Sequence, residues 1–170
     1  TMTAWIMALL LHLQPVQFPA LSLTVPEEIV FRLLTSFGGV FGFSLMFNSP
    51  RKMAMTAGLI GMFSNTLRLE LIDLAGFPVG VAAFIGAFFT GCVASVVRKK
   101  IGYPRISLTV PAIVIMVPGL YMYRGIYYIG LNNISDGSLW LTKAILIVMA
   151  LPMGLVAARL CTDKFFRHCT

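Results

Sequence analysis

The chain has 170 residues, 58% of them hydrophobic and 11% charged, with a mean hydropathy of +0.89. A soluble domain carries nearer a quarter of its residues charged, so this composition excludes a solvated globule and, with it, a water-borne catalytic domain. The formal charge of +7 does not point to nucleic acid, because the basic residues gather at the ends of apolar runs, where they orient a membrane protein.

In chain order, residues 1–26 come first as an apolar or interfacial segment. Ala4 to Leu13 is apolar, and Pro15, Pro19 and Pro26 interrupt the stretch after it. No basic stretch precedes the apolar run, so it does not resemble a signal peptide. A transmembrane helical domain is expected over residues 27–163, with a cytoplasmic tail at 164–170. A span needs roughly 20 apolar residues, and there are five candidates: Ile29 to Phe47, Met53 to Ile72, Phe77 to Val97, Ile106 to Ile129 and Leu139 to Leu160. The expected fold is all-α and polytopic, with the fourth span broken.

Orientation is set by the loops. Numbered alternately, one side collects Arg51, Lys52, Arg98, Lys99, Lys100, Arg105, Arg159, Lys164 and Arg167, and the other Glu27, Glu28, Asp73 and Asp136. The positive-inside rule puts the first side, and the C-terminus, in the cytoplasm.

In hydrocarbon the informative residues are small, polar or helix-breaking. Gly76, Gly80, Ala83, Ala87, Gly91 and Ala94 recur at steps of three or four and predict a close-packing face on the third span. Gly38, Gly39 and Gly42 predict the same for the first. On the second span Gly58, Gly61, Asn65 and Arg68 share a stripe, which either lines a polar cavity or holds helices together. A lipid-facing Asn or Arg costs up to about 3 kcal/mol near the bilayer centre. Asn65 is too deep to snorkel, whereas Arg68 is free to snorkel outward or to pair with Glu70, Asp73 or Glu28. The fourth span holds Pro111, then Pro118-Gly119, Tyr121, Tyr123 and Arg124. Proline removes a backbone donor, and glycine directly after it weakens the helix further. Unwound backbone at that depth survives only in protein or beside a wet cavity, and is a recurrent way to present polar backbone to a substrate. Arg124 comes after the break by about one and a half turns and is the basic residue singled out there. Asn48 and Ser49 are placed to cap the second helix ahead of Pro50, with Arg51 and Lys52 at the cytoplasmic surface.

Other chemistry is not expected. There is no GxxxxGK[ST] phosphate loop, no CxxC pair among Cys92, Cys161 and Cys169, and no nucleophile–base pair, so neither enzyme activity, nor a cofactor, nor a metal site is anticipated.

The stretch Gly42-Phe-Ser-Leu-Met-Phe-Asn-Ser-Pro-Arg51, the Arg68 position and Val117-Pro-Gly-Leu-Tyr-Met-Tyr123 together resemble the threonine/serine exporter family, most closely the small subunit of its two-component branch linked to succinate export. The likeness runs from about Gly38 to the last span. It implies a secondary-transporter subunit that exports a small polar or anionic metabolite (a dicarboxylate such as succinate, or threonine or serine) across a bacterial inner membrane beside a larger homologous subunit. By position it points to Asn48, Pro50 and Arg51 as a gating loop and to Asn65, Arg68, Pro118, Gly119, Tyr123 and Arg124 as the route. Many relatives carry a further proline where this chain has Ile115, and Pro111 is the residue placed to replace it. The rival readings are a structural or regulatory subunit that stabilises a transporting partner, and a self-assembling homo-oligomeric channel.

Overall fold

The computed structural model describes Thr3, Ile6, Met7, Leu10, Leu11 and residues 24–162, the side chain of Lys100 excepted. Most of the expected N-terminal segment and the tail at 164–170 lie outside the described residues. Among those described there is no strand. Over residues 24–162 six helices succeed one another: α1 Val25–Met46, α2 Arg51–Asp73, α3 Val79–Ile101, α4 Arg105–Val114, α5 Gly119–Gly130 and α6 Ile134–Thr162. The chain is an all-helical membrane protein.

Four helices start directly after a proline: Pro50, Pro78, Pro104 and Pro118 precede α2, α3, α4 and α5. A helix start is where the missing N–H costs nothing and the fixed φ helps. The expectation that Asn48 and Ser49 cap α2 is corrected, since Pro50 holds the cap position and no side chain caps it. Asn48 instead ends α1. It takes a left-handed backbone at φ 57°, and its N–H donates to the Leu45 carbonyl at 2.9 Å. Asn is among the few residues that accept this conformation readily.

Among the described residues, four spans are long and apolar enough to cross a membrane: Val25–Met46, Val79–Lys99, Arg105–Gly130 with its break inside, and Ile134–Thr162. The expected second span, α2, is as long as α3 but falls short in composition. Arg51, Lys52, Arg68, Glu70 and Asp73 make it polar. It is sheltered rather than greasy, because α1, α3 and α4 all pack on it. Its residues from Ser64 to Thr66 are buried.

The tightest helix pair is α3 with α6. Ala83 and Ala87 are fully buried, and a Cβ at Gly91 would come within 2.5 Å of the Ala158 Cβ. The small-residue stripe therefore works as expected from Gly80 onward, letting backbones approach. Gly76 is not part of it: it lies in the turn before α3 with φ +66°. On α1, a Cβ at Gly38 or Gly42 would meet nothing within 4 Å, and only Gly39 is crowded, by the Ile115 side chain. The packing role expected of Gly38 and Gly42 is thus also corrected.

Charge divides between the ends of the bundle. Ile106 borders both the cavity beside Phe47, Asn48 and Ser49 and the one beside Arg98, Arg105 and Arg159, so the α1–α2 turn, the α3–α4 turn and the last turns of α6 share one end. At the other end Arg32 ties α1 to α2. It bonds Glu70 Oε1 at 2.9 Å and also pairs with Glu28 and Asp73. This cluster predicts an effect: Arg32→Gln leaves three carboxylates facing one another and should lower stability by about 1–2 kcal/mol, read as a lower Tm in detergent.

Candidate functional site: a part-buried arginine at the helix break

The fourth span is interrupted over Ile115–Pro118. Its hydrogen bonds show why. Pro118 has no N–H to give the Val114 carbonyl, which instead accepts from Val117 at 3.1 Å, while the Gly119 N–H turns to the Val117 carbonyl at 2.8 Å. In an unbroken helix the Met116 carbonyl would accept from residue 120. Here it accepts from Arg68 Nη1 of α2, at 3.2 Å. The Met116 carbonyl, left without its helical donor by the break, is satisfied by a guanidinium from the neighbouring helix, as a low-dielectric interior requires.

Arg68 is held closely. A Cβ at Gly86 of α3 would stand 3.2 Å from both the Arg68 Cβ and the Ser64 carbonyl, and 3.5 Å from the Met116 sulfur. Met116 is fully buried, in a cluster with Ala83, Ala87, Ile147 and Leu151. Three elements thus converge on one point: α2 through Arg68, α3 through Gly86, and the break through Met116. The Arg68 Nε atom is buried and has no partner among the described residues. The pairing with Glu70, Asp73 or Glu28 expected as one outcome does not occur among the described residues. Those three carboxylates are engaged by Arg32, and Arg68 makes no ion pair among the described residues.

Asn65 lies three residues before Arg68, on the same face of α2. Its Nδ2 donates to the Ser36 Oγ of α1 at 2.9 Å, and both residues are buried. Half of its polar group therefore joins helices. The other half, Oδ1, is buried without a partner among the described residues. The stripe also contains Gly58 and Gly61, where a Cβ would meet Phe37 at 2.9 Å and Val40 at 2.5 Å. These two glycines serve helix contact, and the polar part of the stripe begins at Ser64.

The remaining candidates separate. Pro118 is buried at the break, whereas Gly119 is exposed, and a Cβ there would touch nothing within 4 Å. Tyr123 stacks on Tyr127 with ring centroids 6.3 Å apart. Arg124 lies 4.8 Å from the centre of the Trp140 ring, with Lys143 at 5.1 Å, both cation–π contacts. No hydrogen bond or ion pair among the described residues links Arg124 to Arg68. Asn48, Pro50 and Arg51 are exposed at the basic end of the bundle. Sequence reasoning missed Met116, Gly86, Ser36 and Trp140. Gly86 alone left a signal, a glycine off the α3 stripe and so on a different face.

A family model for the threonine/serine exporter ThrE matches residues 32–161. The chain belongs to the threonine/serine exporter family. A probable threonine/serine exporter of Mycobacterium tuberculosis (strain ATCC 25618 / H37Rv) is 28% identical over 109 residues, which is 64% of this chain and 20% of that protein. The chain thus spans about a fifth of the length of that curated relative. No solved structure matches it. In this exporter-family chain the matched segment holds Arg68, the break and the Asn48-Ser-Pro-Arg51 turn, so each part of the site lies within the familial region.

Proposed function

We propose that the chain is a subunit of a secondary transporter that exports a small carboxylate-bearing metabolite, a dicarboxylate such as succinate or the amino acids threonine and serine, across a bacterial inner membrane. In this reading the basic end of the bundle and the C-terminus face the cytoplasm, and a larger homologous subunit completes the route. The observation that carries it is Arg68. A cation at that depth costs several kcal/mol unless something compensates it, yet among the described residues it bonds a backbone carbonyl and its Nε has no partner. A transported carboxylate supplies the missing charge, and a guanidinium is the group best shaped to receive one. The α5 helix begins just past the break, and its first N–H groups carry positive potential. Asn65 Oδ1 adds a buried acceptor for a substrate hydroxyl or ammonium. Pro118 shapes the break, Tyr123 and Arg124 line the outward continuation of the route, and Asn48, Pro50 and Arg51 form the cytoplasmic gate.

The test is metabolite efflux from cells and from liposomes holding the chain with its partner. A Cβ at Gly119 would meet nothing within 4 Å, so Gly119→Leu should reach the membrane normally while cutting efflux at least about tenfold by filling the route. Unchanged efflux of succinate, threonine and serine on deleting the chain would reject the substrate class. Full-rate export by the partner alone would leave this chain a supporting subunit.

A further inference from the structure

At the basic end, between the close of α3, the start of α4 and the last turns of α6, lies a cavity of about 410 Å³. Arg98, Arg105 and Arg159 line it together with Ile106, Leu155 and Val156, and no acidic residue is among the described residues that do so. Its size falls within the range of small-ligand sites, about 300–1,000 Å³. Arg105 is fixed there, donating from Nη2 to the Gly91 carbonyl at 3.1 Å and from Nη1 to Thr162 Oγ1 at 3.4 Å.

Two features together define the occupant. Three arginines line one cavity, and guanidinium is the group that grips phosphate oxygens in parallel pairs. The apolar walls belong to the outer surface of the bundle: Ile106 is 73% exposed and Val156 51% exposed. In a spanning helix such residues face acyl chains, so the cavity opens sideways into lipid rather than into a passage between helices. A soluble anion would find half of this wall useless. A lipid headgroup with its chain attached uses both halves.

We propose that this cavity binds an anionic phospholipid, its phosphate held by Arg98, Arg105 and Arg159 and one acyl chain laid along Ile106 and Val156. Basic pockets between spans near the headgroup level suit such lipids. The site is separate from Arg68 and stands whether or not the transport reading does.

Native mass spectrometry of the purified full chain tests it, with phosphatidylglycerol, phosphatidylcholine and inorganic phosphate as probes. The expected result is retention of phosphatidylglycerol over phosphatidylcholine, undiminished by inorganic phosphate at equal concentration. The double variant Arg98→Gln/Arg159→Gln should retain roughly tenfold less phosphatidylglycerol. Arg98→Lys/Arg159→Lys, which keeps the charge but loses the planar fork, should fall between the parent and the double Gln variant, and Lys99→Gln, exposed and outside the cavity, should match the parent. Equal retention of the two lipids by the parent chain would overturn the proposal without recourse to any variant. Displacement by inorganic phosphate would do so too, by showing a site for a free anion. Equal loss in Lys99→Gln would reduce the effect to general surface charge.

Discussion

Arg68→Ala should lower efflux by about two orders of magnitude while leaving the protein at least as stable as the parent. The two halves of that expectation have different origins. Losing a charge-assisted, two-point grip on a carboxylate costs up to about 3 kcal/mol, roughly a hundredfold in rate or affinity. Stability responds to two opposed terms. The Met116 carbonyl loses its donor, a cost of about 1–3 kcal/mol. Against this, a cation with no ion pair among the described residues leaves the interior, relieving a penalty of several kcal/mol. The second term is the larger, so Tm in detergent should hold or rise. Arg68→Lys keeps the charge but loses the planar fork, and should fall between the two in transport. If Arg68 only braced the break, the pattern would reverse: efflux would survive in proportion to folded protein and Tm would drop. Measuring both quantities on the same preparation separates these outcomes.

The ends of the helices were legible in the sequence because charge is what lipid tolerates least. Arg98 and Arg105, flanking the α3–α4 turn, and Glu70 and Asp73, closing α2, mark those ends directly. The break was legible for the same reason in reverse, since Pro118 forbids a bond that every other residue could make. Its extent was not. Pro111 was the residue placed to stand in for a proline at Ile115, yet it lies buried inside the regular α4, and Ile115 itself is where the turn begins. The partner of Arg68 was illegible in principle. It is a main-chain oxygen on an apolar methionine, and a backbone carbonyl has no sequence signature. Glu70, Asp73 and Glu28 looked like better partners only because the competing claim of Arg32 on all three depends on how α1 crosses α2.

The second large effect concerns Gly154. A Cβ there would stand 2.5 Å from the Phe84 carbonyl oxygen, 2.9 Å from the Ala87 Cβ and 3.0 Å from the Phe88 nitrogen. Two of these atoms are backbone, so no rotamer change relieves the crowding; α3 and α6 must separate. Even Gly154→Ala should cost about 3 kcal/mol or more, near the upper end for overpacking, and Gly154→Leu should prevent a monodisperse preparation. The control lies on α1. Gly38→Ala and Gly42→Ala meet nothing within 4 Å and remove a poor helix former, so they should raise stability by up to about 1 kcal/mol each. A melting curve for Gly154→Ala that overlays the parent's would mean the α3–α6 crossing has slack the structure does not show.

The two halves of the fourth span are moored to different neighbours. α4 lies against α1, α2 and α3, whereas α5 rests chiefly on α6. A strut fixed at its ends to different helices concentrates any sliding between them at its weakest section, and here that section is Ile115–Pro118. The Met116 carbonyl sits within it, bound to a side chain anchored on the α2 body. A shift of α5 against α4 would therefore stretch or shorten that single 3.2 Å bond before it unwound a turn of either rod.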